Sequence, residues 1–178
     1  MASNPVDHLT IRPVTAEDAD AFFQLVRDDR ALFATYFPVT TGRTTDVHAT
    51  SSYVRDLAAQ ATAKETFCYL VTLEGNSGAV GAVFLKSFDH RVGKCELAYL
   101  VATVHQGKGI ASSTVAWAVD EAFRTHGLNK VFLRVDPDNA ASIRVAEKNI
   151  FEREGLLRQD FRTNDDRLLD VSVFGKLR

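Results

Sequence analysis

Residues 9–14 alternate, imperfectly, between Leu9, Ile11 and Pro13 on one side and Thr10, Arg12 and Val14 on the other, which predicts a strand. Thr15-Ala16-Glu17-Asp18 reads as a helix start, with Thr15 as N-cap and Asp18 where a capping box prefers Glu. Ala19, Phe22, Phe23 and Val26 then fall on one helical face. Residues 31–37 are apolar and aromatic, and Pro38 ends that run. Residues 44–63 predict a second helix burying Val47, Tyr53, Val54, Leu57, Ala58 and Ala61. After this the period changes. Residues 66–73 are β-branched and aromatic, and Glu74-Gly75-Asn76-Ser77-Gly78 is turn chemistry. A strand over 79–88, a turn over 89–93 and a strand over 94–102 complete a meander.

A longer amphipathic pattern follows over 112–123, with Val115, Ala118, Val119, Ala122 and Phe123 as its buried stripe. Gly127 suits the left-handed residue that closes such a helix. Residues 130–135 predict a short strand, and Asn139 caps a helix to about residue 149. Two last strands, 151–162 and 168–176, flank a turn at Thr163-Asn164-Asp165-Asp166. The order β-α-α-β-β-β-α-β-α-β-β implies one α/β (α+β) domain over residues 1–178. Its sheet is expected to be twisted, mixed and mostly antiparallel, flanked by about four helices. A helical crossover joins 97–101 to 130–135, so those strands are expected to be parallel and connected right-handedly.

Composition then removes several functional classes. The 178 residues are 46% hydrophobic and 25% charged, enough for one core and ordinary for a globular chain. A net charge of −2, with no basic stripe, argues against direct nucleic-acid binding. The longest apolar run, 79–85, is far too short to span a bilayer. Residues 1–8 lack the charged and apolar regions of a secretory signal, so a cytoplasmic protein is expected. Cys68 and Cys95 fall in strand-like segments and read as reduced core thiols. None of the five histidines has a partner at metal-ligand spacing, so no metal is expected.

The chemistry concentrates in Gln106-Gly107-Lys108-Gly109-Ile110-Ala111, between an apolar strand and a helix. A glycine turn there leaves backbone N–H groups unpaired at a helix N-terminus, which suits a phosphate. The spacing is wrong for a nucleotide P-loop. A dinucleotide fingerprint needs a third glycine where Ser112 stands, and the preceding meander is not a Rossmann opening. Some thirty residues on, Asn139-Ala140-Ala141-Ser142 opens another helix after a strand. Together the two signals suggest a diphosphate-bearing cofactor with a thiol arm.

The glycine hexapeptide resembles the Gln/Arg-x-x-Gly-x-Gly/Ala motif of the GNAT superfamily of N-acetyltransferases. The resemblance runs through nearly the whole chain, from Leu9-Thr10-Ile11-Arg12-Pro13 onward. Asn139-x-x-Ser142, Glu147-Lys148 and Phe151-Glu152-Arg153-Glu154-Gly155 look like its RimJ/RimL branch, which acetylates protein N-termini, including those of ribosomal proteins. The resemblance implies that Gln106, Gly107, Lys108, Gly109, Ile110 and Ala111 wrap the pyrophosphate of acetyl-CoA. Leu100, Val101 and Ala102 would offer backbone groups to its pantetheine arm, and Asn139, an N-cap in its own right, would add a hydrogen bond. The strands over 97–101 and 130–135 would splay apart around the thioester, with a backbone N–H near Leu100 facing its oxygen. Ser142 is either a surface residue back-bonded to its helix or, as the RimL-like resemblance implies, stands near the sulfur and protonates the departing thiolate; the Tyr that many relatives use for this is replaced by Ala146. Ile150 also stands where most relatives have a glycine before Phe151.

Glu96, a carboxylate among apolar strand residues, is either solvent-facing or the base that deprotonates the amine. An α-amine, with a pKa about 8, is neutral at pH 7 over ~100-fold more often than a lysine side chain, at about 10.4. This favours a protein N-terminal α-amine as acceptor. A polyamine, an amino acid or an aminoglycoside is the alternative, as is a non-catalytic acyl-CoA sensor. By analogy residues 31–43 and 163–166 flank the acceptor cleft. Phe33, Tyr36 and Phe37 are then core or cleft wall, and Asp165 and Asp166 either attract a cationic amine or form a solvated tip. Neither metal nor membrane is expected as a partner, and the chain is expected to be a monomer or homodimer.

Overall fold

A computed structural model describes residues 8–76 and 78–178. Residues 1–7, which bear on the secretory-signal expectation, and Ser77 of the 74–78 turn lie outside them. The chain runs β1 (Leu9–Pro13), α1 (Ala19–Asp28), α2 (Arg30–Tyr36), α3 (Pro38–Arg43), α4 (Val47–Thr62) and β2 (Phe67–Leu73). It continues β3 (Ala79–Asp89), β4 (Lys94–Val101), α5 (Ile110–Arg124), β5 (Lys130–Val135), α6 (Ala140–Lys148), β6 (Glu152–Arg162) and β7 (Leu168–Leu177). One seven-stranded sheet has the order β1-β2-β3-β4-β5-β7-β6. Its pairs are antiparallel except β4 with β5.

Among the described residues six helices flank the sheet instead of about four, because residues 30–43 fold as two short helices. Pro38 does not simply end an ordered run. It stands at the first turn of α3, where its missing N–H costs nothing. Val39-Thr40-Thr41-Gly42 is a poor helix former, so the pattern does not announce this helix. Side-chain bonds hold it: Arg30 of α2 donates to the Thr41 and Thr44 carbonyls, and locally Thr44 Oγ1 donates to the Thr40 carbonyl at 2.8 Å.

The helix starts follow local chemistry more closely. The Asp18 carboxylate accepts from Thr15 N (2.7 Å) and Thr15 Oγ1 (3.0 Å) and from both terminal nitrogens of Arg12 (2.8 and 2.5 Å). The Arg12 guanidinium holds that carboxyl below the usual carboxylate range, against the cost of burial. In α1 Leu25 takes the buried position expected of Phe23, which is only partly buried. In α4 Val47 is exposed and Thr50 is buried, its hydroxyl satisfied by the Asp46 carbonyl at 2.6 Å.

Two cores sandwich the sheet. On one face α5 and α6 pack over Leu85, Cys95, Leu97, Val131 and Leu133. On the other α1, α2 and α4 pack over Leu70, Ala82, Phe84 and Leu100 with Phe22, Phe33 and Val54. Strand β4 therefore alternates faces, with Cys95 and Leu97 toward α5 and Ala98 and Leu100 toward α1 and α4.

The parallel pair is shorter than the sequence implies. Pairing covers Lys94 with Lys130, Cys95 with Val131 and Glu96 with Phe132, and then stops. Residues 97–101, expected to pair with 130–135, stay on β3 up to Val101 against Gly81. Strand β5 stays on β7 up to Val135 against Ser172. Each strand is thus committed to its outer neighbour, the two half-sheets twist away from each other, and a wedge opens beyond Glu96. At the far edge β6 is exposed on both faces and is tied back to β5 by Lys130–Glu154, which crosses Gly175, and by Arg134–Asp160, both 2.6 Å.

Candidate active site

The mouth of the wedge is lined by the glycine turn. Gly107 and Gly109 adopt φ of 73° and 83°, left-handed values that a Cβ disfavours by roughly 1–2 kcal/mol. Gly109 is the N-cap of α5 and supplies no side-chain cap. The first bond into the helix is Ser113 N to the Gly109 carbonyl, at 3.0 Å. Among the described residues, none of the backbone N–H groups of residues 107–112 has an acceptor. Six consecutive bare amides at a helix N-terminus form a cradle for an anion. Ile110, 1% exposed, anchors the loop in a small cluster with Val71, Val80 and Val101.

The polar side chains of the loop bond to nearby main-chain carbonyls. Gln106 Nε2 donates to the Val101 carbonyl at 3.1 Å, and Lys108 Nζ donates to the Val104 carbonyl at 2.9 Å. Both shape the loop from within.

The inner edge of the wedge is the backbone of β4. Ala102 N donates to the Val80 carbonyl at 2.9 Å, which sets the antiparallel alternation. Ala98, Leu100 and Ala102 therefore turn their main-chain groups toward β3. Leu97, Tyr99 and Val101 turn theirs into the wedge. Near Leu100, the backbone N–H groups that face the wedge are those of Tyr99 and Val101. Leu100 and Ala102 contribute instead to the core against α1 and α4.

The opposite wall is the start of α6. Asn139 accepts from Ser142 N at 3.0 Å through its side-chain oxygen and so caps the helix. The Tyr99 hydroxyl reaches across and donates to Ser142 Oγ at 3.2 Å. Burial pushes the Tyr99 phenol up, with the bond to Ser142 opposing. Sequence reasoning did not single out Tyr99, whose only local signal is an aromatic in a mostly aliphatic strand. Glu96 lies at the apex of the wedge, 8% exposed, with Lys86 Nζ 3.3 Å from its carboxylate. Its side chain shares a face with Ala98 and Leu100, so Glu96 and Ser142 sit on opposite sides of the opening.

Helices α2 and α3 meet the β6–β7 hairpin over the Glu96 side. Phe33 is core, and Phe37 packs between Phe33 and Phe84. The Tyr36 hydroxyl donates to Asp136 at 3.4 Å, and Asn164 Nδ2 donates to Thr41 Oγ1 at 3.0 Å. Asp165 is bound by Thr163 and Arg167, and Asp166 by Arg162, so both acids at the hairpin tip are matched within the hairpin itself. Cys68 and Cys95 are buried and unpaired, and burial pushes both thiols up, so neither is a ready nucleophile. At the end of α6, Ile150 takes φ of 60°. Ile150 N donates to the Glu147 carbonyl and Phe151 N to the Ala146 carbonyl, so the left-handed turn forms without its glycine.

A mixed sheet that parts between two parallel strands, with bare helix amides at the mouth of the opening, is the framework of an acyl-CoA-dependent transferase. Residues 8–152 match the acetyltransferase (GNAT) domain family, and the chain belongs to that family of N-acetyltransferases. It is 29% identical over 175 residues to the uncharacterized N-acetyltransferase p20 of Bacillus licheniformis, covering 97% of this chain and 94% of that one. Its fold is shared with the ribosomal-protein-S5-alanine acetyltransferase of Vibrio fischeri, at a TM-score of 0.88 and 19% identity over 96% of this chain and 93% of that one. It is shared also with Mycobacterium smegmatis RimJ in complex with CoA-disulfide, at 0.86 and 24% over 97% and 83%. Among the described residues no helix is long and apolar enough to cross a membrane.

Proposed function

We propose that this protein transfers an acetyl group from acetyl-CoA to the α-amine of a protein N-terminus. The observation that carries the reading is the run of six unpartnered amides at residues 107–112, placed at the mouth of the wedge. A pyrophosphate satisfies such amides, and the pantetheine arm then lies along the backbone edge of Tyr99 and Val101, as an added strand would. Asn139 and Ser142 border the same opening. One structural relative is a ribosomal-protein-S5-alanine acetyltransferase and the other is a RimJ in complex with CoA-disulfide, which supports the acceptor class and the cofactor.

The reaction follows the two faces of the sheet. Glu96, or a water beside it, takes a proton from the ammonium on the α1–α4 face. The amine attacks the thioester carbon, and the backbone N–H of Tyr99 or Val101 stabilises the developing oxyanion. The nitrogen loses its second proton on the Glu96 side, the C–S bond breaks, and Ser142 on the α6 side gives the sulfur its proton and recovers one from solvent.

Calorimetry with CoA tests the cofactor, with binding expected and the absence of heat overturning the reading. Thiol release from acetyl-CoA with a library of N-terminal peptides, beside spermidine and free amino acids, tests the acceptor. Turnover on peptides is expected; turnover confined to the small amines refutes the N-terminal assignment. Ser142→Ala is expected to lower kcat by ~100-fold while the melting temperature holds.

A further inference from the structure

The bond between Tyr99 and Ser142 joins residues 43 positions apart across the stretch where β4 and β5 do not pair. Neither side chain has another hydrogen-bond partner among the described residues. A serine hydroxyl has one proton and two acceptor sites. Here one acceptor site is filled by the Tyr99 O–H, and the main chain of Ser142 is fixed by its N–H bond to Asn139. The serine proton then has no protein acceptor and is free to face the wedge.

We propose that Tyr99 is a positioning residue for acetyl transfer: by donating across the wedge to Ser142 Oγ, it aims the serine proton at the departing sulfur. This rests on the acetyl-transfer reading above. As the C–S bond breaks, the sulfur keeps the bonding pair and takes the Ser142 proton. Tyr99 shares its own proton with the serine oxygen at that moment, so charge is spread over two oxygens until water restores the proton. The attacking nitrogen loses two protons on the Glu96 side, one from the ammonium before attack and one after it; one offsets the proton given to sulfur and the other is released to solvent. The ring of Tyr99 packs against both the α5 core and the Ile110 cluster, which fixes the direction of its hydroxyl. Its phenol is held up by burial and therefore stays a donor throughout the neutral range.

The test compares the full chain with Tyr99→Phe, Ser142→Ala and the double variant, in acetyl-CoA turnover on the peptide library and in CoA calorimetry. Tyr99→Phe is expected to lower kcat about tenfold, the worth of one such hydrogen bond, with the acetyl-CoA KM and the CoA Kd within about twofold. The double variant is expected to be no slower than Ser142→Ala alone, because the two act as one unit. An unchanged kcat in Tyr99→Phe, or losses that multiply in the double variant, overturns the proposal. If Tyr99→Phe does not fold, 3-fluorotyrosine at position 99 keeps the ring and strengthens the donor. Its kcat is then expected to change at constant melting temperature, and an unchanged kcat again overturns the proposal. A wild-type chain that binds no CoA removes the underlying reading, whereas a wild-type chain that binds and turns over with Tyr99→Phe unimpaired removes only Tyr99.

Discussion

Ile150→Gly is predicted to stabilise this protein. Ile150 holds φ of 60° with a β-branched side chain, a conformation that costs roughly 1–2 kcal/mol for any residue with a Cβ. It is 75% exposed, so trimming the side chain forfeits little burial. The backbone bonds that close the turn, Ile150 N to Glu147 at 2.9 Å and Phe151 N to Ala146 at 3.0 Å, need no side chain at 150 and are kept. Lys176 Nζ continues to donate to the Asn149 carbonyl at 2.7 Å. Glycine brings extra freedom to the unfolded chain, which offsets about 0.4–1 kcal/mol of the gain. The net is about 0.5–1 kcal/mol, or ~1–4 °C in melting temperature for a chain of this size. Urea unfolding reads it as a higher midpoint at constant slope. Ile150→Ala is the control: it trims the same side chain but keeps the strain, so no gain is expected. If Ile150→Gly is less stable than the wild type, or no better than Ile150→Ala, the strain argument fails.

At Gly81 an added Cβ would stand 2.6 Å from the Leu100 carbonyl oxygen, a backbone atom that cannot step aside. Gly81→Ala should therefore cost ~1–3 kcal/mol in urea unfolding and weaken CoA binding through the displaced β4 edge; an unchanged midpoint contradicts this. A Cβ at Gly107 meets nothing within 4 Å but inherits φ of +73°. Gly107→Ala should weaken CoA binding ~10-fold or more by calorimetry, with a stability loss of at most ~1–2 kcal/mol, and unaltered affinity would refute the amide cradle. Asp18, whose carboxyl is held down by Arg12, binds fewer protons folded than unfolded as the pH drops. Its stabilisation is present above its unfolded value near 3.8 and is lost as pH falls through the lower folded value. Asp18→Asn should lose ~2 kcal/mol at pH 7, and its unfolding free energy should fall less between pH 4 and pH 2 than that of the wild type.

What sequence alone determined here was local. Alternation marked the strands of the meander, helical spacing marked Val115, Ala118, Val119 and Ala122, and the glycines at 107 and 109 marked a turn that needs left-handed backbone. Asn139 was legible as a cap because capping is a contact three residues long. In each case the signal and the structure lie within one or two turns of chain. The features that complete the site depend on distant partners. The wedge begins after Glu96 because β3 and β7 hold the two strands apart, and no residue of β4 encodes that by itself. Tyr99 meets Ser142 only once the crossover through α5 brings α6 beside β4, 43 positions away. The facing of Leu100 toward β3, rather than into the wedge, follows from a register set by Val80. The helix begun by Pro38 exists because Arg30 ties down its carbonyls against poor propensity. Short-range patterns decide which elements form, whereas pairing partners and packing decide where an edge is left open.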